Sequence, residues 1–257
     1  LLLDIKTRPG IPVQCAEYVP LAVRHYVDLA PGCIVQRIES MHTFINDKLV
    51  SSLNAPGYML DRAVFDDSLV RQAQEAGAEL WLGAKAVSRT AEKVIVHRNH
   101  QEESEIACQV IIGADGPRST VGKWMGSQNR SFMLGLQYSM PLCKPQLSTD
   151  VYFCPRYTGG YAWLFPKGDT ANVGVGVNIS FRHEIQALLS DFIKGMVDSG
   201  RLAGTPLGST SGLIPVGGPL SVIQRDNMLL AGDAAGHTHA VTGGGIMSAI
   251  VSGELAG

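Results

Sequence analysis

Gly113-Ala114-Asp115-Gly116-Pro117-Arg118-Ser119-Thr120 and Gly232-Asp233-Ala234-Ala235-Gly236 decide how this chain is read. Each follows a short apolar run, Gln109-Val110-Ile111-Ile112 in the first case and Asn227-Met228-Leu229-Leu230-Ala231 in the second. A buried strand that ends in small residues and one carboxylate marks the ligand-binding edge of an open α/β sheet. In the first string the glycines let backbone approach a ligand, Asp115 can hold a hydroxyl or a backbone amide, and Ser119 or Thr120 can cap the next helix. Arg118 reads as a phosphate contact or as a surface charge. After the second string, Thr242-Gly243-Gly244-Gly245-Ile246 leads into a final helix whose free amides favour an anion, and Asp233 suits a sugar-alcohol hydroxyl. A third junction lies at the start, where Leu1-Leu2-Leu3 ends in Asp4, an acid placed to accept from ribose hydroxyls.

Between these junctions the pattern changes. Ile38 to Leu53 alternates and holds Asn46-Asp47, a hairpin turn. Asp61 to Gly77 reads as the clearest helix, with apolar Val64, Phe65, Leu69, Val70, Ala73 and Ala76 and a glycine stop. Glu79 to Val87 reads as one strand, and Lys93–His97 and Glu105–Cys108 flank a polar turn. From Phe132 to Val177 the segments are β-like, and Phe181 to Ser199 is helical. The chain order therefore predicts a discontinuous α/β domain with an inserted β-rich domain. Residues 1–37, 58–127 and 212–257 fall to the first, and 38–57 and 128–211 to the second.

Composition narrows the class. Of 257 residues, 45% are hydrophobic and 17% charged, which supports a packed core. Twenty-one basic against 23 acidic residues give a net charge of -2, unlike a nucleic-acid binder. No apolar run reaches the ~18–20 residues of a membrane span. Five widely spaced cysteines without a C-x-x-C argue against a disulfide framework or a zinc ribbon, and for a reducing, cytoplasmic setting. His237-Thr238-His239 has no carboxylate or cysteine partner beside it, so no metal is expected.

Together the two glycine strings resemble the flavoprotein monooxygenase superfamily with the p-hydroxybenzoate hydroxylase fold, in which both touch FAD. Within it the chain most resembles the geranylgeranyl reductase family. Pro12-Val13-Gln14-Cys15-Ala16-Glu17 is similar to that family's P-V-x-C-x-E segment, and Asp61-Arg62-Ala63-Val64-Phe65-Asp66 to its R-x-x-F-D helix start. Tyr161-Ala162-Trp163-Leu164-Phe165-Pro166 matches its Y-x-W-x-F-P string and is followed by Asn172-Val173-Gly174-Val175-Gly176. Flavin halogenases carry a related W-x-W-x-I-P string.

The resemblance implies a Rossmann-like FAD-binding domain with an inserted substrate domain. It implies FAD contacts from Asp4, Cys15, Gly113, Asp115, Gly116, Gly232, Asp233, Gly236, Gly243, Gly244, Gly245 and Ile246, with His237 near the flavin edge. It puts the catalytic role on Cys15, in flavin reduction or proton delivery, and the substrate on Tyr161, Trp163, Phe165 and Pro166. The first three alternate along a strand and share a face, where aromatics suit a polyprenyl chain. The implied activity is reduction of isoprenoid double bonds, with NADPH or a reduced ferredoxin as electron donor and a prenyl lipid as substrate. Peripheral association with a membrane follows from such a substrate. The alternatives are an aromatic hydroxylase or halogenase on the same scaffold, or an inactive fragment. The family opens with a strand and G-x-G-x-x-G and continues beyond the last helix, so the chain, which opens at Leu1, is expected to be a segment of a longer protein.

Overall fold

The computed structural model describes residues 1–90, 92–98 and 102–257. In chain order its elements are β1 (Leu2–Asp4), β2 (Tyr18–Pro20), β3 (Ile34–Ile45), β4 (Lys48–Leu60), α1 (Arg62–Glu75), β5 (Leu80–Leu82), β6 (Ala84–Arg89), β7 (Lys93–Arg98), β8 (Glu102–Ala107) and β9 (Ile111–Gly113). There follow α2 (Thr120–Trp124), β10 (Phe132–Pro141), β11 (Ser148–Phe153), β12 (Ala162–Lys167), β13 (Thr170–Asn178), α3 (Ile185–Asp198), β14 (Gly208–Pro215), β15 (Gln224–Arg225), β16 (Met228–Leu230) and α4 (Ile246–Ala256).

The largest layer is an eight-stranded sheet in the order β14-β10-β13-β12-β11-β3-β4-β2. It draws strands from three separate stretches of chain, and β11 with β3 is its parallel pair. The β3–β4 hairpin closes through Asn46 (φ 48) and Asp47 (φ 62), two residue types that tolerate the left-handed backbone of a two-residue turn. One face of the sheet is covered by α3, where Leu189 and Phe192 pack on Leu164, Val173, Val175 and Val177. The opposite face carries Ile38, Met59, Val151, Trp163 and Phe165.

β9 and β16 run parallel, with Leu230 opposite Gly113, so the two glycine strings leave one small sheet side by side. α4 returns onto the second string, where the Gly232 amide donates to Ser252 Oγ at 2.9 Å. Its Ile246, Met247 and Ile250 pack against a cluster containing Val19, Val23, Tyr58 and Phe65. The result is a mixed α/β molecule built around a curled many-stranded sheet, the expected class.

Several local expectations change. The run Glu79–Val87 is two strands: Gly83 (φ 62) turns the chain from parallel pairing with β1 to antiparallel pairing with β7. The helix expected from Phe181 begins at Ile185, because Asn178 Oδ1 takes the Ser180 amide and closes a short 3-10 turn first. On α1, capped by Asp61, only Phe65 is buried and Val64 is 39% exposed. That helix meets the core through its first half, Phe65 and Leu69. The polar turn after β7 involves residues 99–101, outside the described residues.

Candidate functional site

The segment Val13–Ala16 has no strand of its own to pair with, so its carbonyls need side-chain partners. The sheet supplies them. Thr210 Oγ1 donates to Val13 O (2.8 Å), Gln137 Nε2 to Cys15 O (3.1 Å) and Asn172 Nδ2 to Ala16 O (3.2 Å). In return, Gln14 Nε2 donates to Ser211 O (2.6 Å). These bonds pin Cys15 over the sheet face opposite α3.

That face is aromatic because of strand alternation. Tyr161, Trp163 and Phe165 point to it, while Ala162 and Leu164 point toward α3. Pro166, grouped with the aromatics in the sequence reading, alternates onto the α3 side and is buried there. Tyr161 meets Trp163 edge-on at 5.9 Å and Phe153 at 5.5 Å, and Tyr18 meets Phe165 at 6.3 Å. The Trp163 indole lies across Gly174: a Cβ there would sit 2.2 Å from its ring, so only glycine leaves room. Trp163 Nε1 then donates to Gln137 Oε1 at 2.9 Å.

Glu17 anchors the end of the segment. It is 4% exposed and holds a left-handed backbone (φ 71), uncommon for a non-glycine residue. Its carboxylate accepts from Lys167 Nζ (2.7 Å), Asn172 Nδ2 (2.9 Å) and the Arg62 amide (3.1 Å). Glu17→Ala strands a partly buried ammonium and two further donors. It is expected to lower unfolding free energy by about 2–3 kcal/mol, read as a lower urea midpoint at unchanged slope.

The half-buried Cys15 thiol accepts from the Glu17 amide at 3.2 Å. Burial pushes its pKa up, and the Arg62 guanidinium opposes that shift without cancelling it. The Arg62 guanidinium, whose charge is felt at the sulfur, forms a fork with Asp66 at 2.9 and 3.0 Å. Tyr161 is pushed up to about 12 by burial, with Cys15 adding to the shift. Its hydroxyl donates to Thr242 O, which ties the aromatic face to the glycine run before α4.

Asp233, Gly243, Gly244, Gly245 and Ile246 therefore lie at the Tyr161 end of the aromatic face. Gly245 caps α4 without any side-chain bond, and Asp233 Oδ1 lies 3.0 Å from where a Gly245 Cβ would stand. Asp233 also accepts from the Thr238 hydroxyl. Asn129 clamps the two glycine strings, its Nδ2 donating to Pro117 O (3.1 Å) and Asp233 O (2.8 Å), which holds Gly232–Gly236 beside Gly116.

Two residues read as ligand contacts are occupied otherwise. Asp115 accepts from Thr120 N (2.6 Å), Val121 N (3.3 Å) and Ser119 Oγ, so its carboxylate is spent on the open amides of α2. Gly113 is buried, and its missing Cβ makes way for Val121, whose Cβ would be 2.6 Å off, so this glycine serves helix–strand packing. Asp4 ends β1 in a sheet separate from β9 and β16, and its hydrogen bond among the described residues is to the Lys6 amide at 2.9 Å.

Arg62, Glu17 and Asn172 lay inside strings already quoted but were given no role by the sequence reading. Gln137 carried only one signal, a polar residue among apolar neighbours, and Asn129, inside the polar run Ser127–Ser131, carried none. The open amides at α4, the Asp233 carboxylate beside them and the thiol next to an aromatic wall suit a ligand that joins anionic phosphate, polyol and flat ring.

Comparison with known proteins agrees with this chemistry. Residues 135–205 match the model of the geranylgeranyl reductase catalytic domain, and residues 52–152 match an FAD binding domain. The digeranylgeranylglycerophospholipid reductase of Methanocella arvoryzae is 32% identical over the whole chain, which covers 70% of that relative. The corresponding reductase 1 of Methanopyrus kandleri is 34% identical, again over the whole chain and 72% of its own length. Among solved structures, a geranylgeranyl bacteriochlorophyll reductase-like protein from Thermoplasma acidophilum superposes with a TM-score of 0.89 at 28% identity, over 100% of this chain and 70% of that one. A myxobacterial chondrochloren halogenase shares the fold, with a TM-score of 0.73 at 16% identity over 99% and 67% of the two chains.

Proposed function

Because this chain belongs to the geranylgeranyl reductase family of FAD-dependent oxidoreductases, we propose that it adds hydrogen across carbon–carbon double bonds of geranylgeranyl chains carried by a lipid. The observation that carries the reading is the Cys15 thiol pinned over the face of Tyr161, Trp163 and Phe165.

An isolated alkene needs a hydride on one carbon and a proton on its neighbour. Reduced FAD, when bound, supplies the hydride. The aromatic face holds the prenyl chain and keeps water from it. Cys15 gives the proton: its raised pKa keeps it protonated at neutral pH, and Arg62 steadies the thiolate left behind. Asp233, the backbone of Gly243 and Gly244, and the open amides of Gly245 and Ile246 hold the cofactor beside that thiol, with Gly116, Gly232, Gly236 and Asp4 along its length. In this reading residues 1–37, 58–127 and 212–257 serve the cofactor, and 38–57 and 128–211 the lipid.

NADPH or a reduced ferredoxin recharges the flavin. Among the described residues no helix is long and apolar enough to cross a membrane. Peripheral contact with the bilayer that carries the substrate is part of the proposal, and the exposed Ile45, Leu49, Val50 and Leu53 at the β3–β4 hairpin support it.

The test is direct. FAD-loaded protein, reduced without oxygen and given a geranylgeranyl lipid in sedimentable vesicles, should add hydrogen pairs to the lipid, read by mass, and should sediment with the vesicles. A fully reduced flavin beside an unchanged lipid, or a product carrying oxygen once air is admitted, would sink the reductase reading. Failure to sediment would sink the membrane part alone.

A further inference from the structure

We propose that Gln137 is a positioning residue that registers the Cys15 thiol against the Trp163 ring, which rests on the reading that both act in prenyl reduction. Gln137 sits in β10, is 7% exposed, and lies opposite Gly174 of β13 and Thr210 of β14. Trp163 of β12 is also opposite Gly174. The glycine thus leaves a gap that the indole crosses to reach Gln137.

One planar amide then joins two parts of the site. Its oxygen accepts from Trp163 Nε1 at 2.9 Å, and its nitrogen donates to Cys15 O at 3.1 Å. An indole N–H can only donate and a carbonyl can only accept, so a side chain with both capacities is required between them. The flanking anchors behave differently. Thr210 on Val13, Gln14 on Ser211 and Asn172 on Ala16 tie the segment to strands without a hydrogen bond to an aromatic side chain. A shift of the indole is therefore passed through the amide to the backbone that carries the thiol.

The test is the rate of iodoacetamide modification of Cys15 in the FAD-loaded protein, read by peptide mass, with exposed Cys143 as internal reference. Gln137→Leu should speed Cys15 modification about tenfold and leave Cys143 unchanged, while kcat for the lipid falls about tenfold and KM holds. Gln137→Glu keeps the acceptor for Trp163 and loses the donor to Cys15, so it should match the leucine variant at the thiol. Trp163→Phe should speed Cys15 about threefold in the native background and have no further effect in the Gln137→Leu background, the signature of coupled residues. Additive effects, or an unchanged Cys15 rate in either Gln137 variant, would overturn the proposal. If the native protein reduces no lipid, the functional reading falls on its own, and the modification cycle still decides the role of Gln137.

Discussion

Gly174→Ala is expected to disable the protein in one methyl group. The added Cβ would stand 2.2 and 2.5 Å from two indole carbons of Trp163 and 2.8 Å from Leu136 O. Neither neighbour can yield cheaply, since the carbonyl belongs to β10, paired on both sides, and the indole is walled by Tyr161. Overpacking of this kind costs about 1–3 kcal/mol. Pushing the ring aside also breaks its bond to Gln137 and strands two buried polar groups, for a further ~1–3 kcal/mol. A fall in melting temperature on the order of 10 °C follows for a domain of this size, with lipid reduction lost about 100-fold. Gly195→Ala in α3, where nothing lies within 4 Å of the new Cβ, is the control and should hold or gain stability. A Gly174→Ala protein that melts and turns over like the native one would remove the close-packed indole from the account.

Cys15→Ala carries the second large effect. Loss of a positioned proton donor lowers the chemical step about 10²–10⁴-fold, while reduction of bound flavin by dithionite proceeds at the native rate. The pH profile gives an independent sign. Burial raises the thiol above its ordinary 9.0 against the opposing pull of Arg62, so the donor is protonated, and activity full, at neutral pH. Activity falls only as pH rises beyond 9, where the thiol ionises. Cys15→Ser should abolish that alkaline limb. Native-like turnover in Cys15→Ala, or an alkaline limb that persists in the serine variant, would assign the proton to another group.

The sequence spoke most clearly where one local rule set the backbone. Asn46-Asp47 made a hairpin because both tolerate a left-handed turn, and Asp61 opened α1 because its carboxylate takes the first amides. Alternation from Tyr161 to Phe165 put three aromatics on one face. The same rule put Pro166 on the other, which a string match passes over. Gly113 and Asp115 were recognisable as a motif, yet their physical work is packing Val121 and capping α2. Patterns name residues without saying which neighbour uses them. Gln137 and Asn172 were illegible for a different reason: their partners stand 122 and 156 positions away, where no periodicity reaches.

That separation has a consequence in time. The bonds that pin Val13 and Gln14 come from Thr210 and Ser211, 197 residues further along the chain. At about 5–20 residues per second of synthesis, the thiol segment emerges roughly ten to forty seconds before its last two anchors exist. Local hairpins and helices form long before then. The site is thus completed late in synthesis, and its proton donor spends that interval only partly tethered.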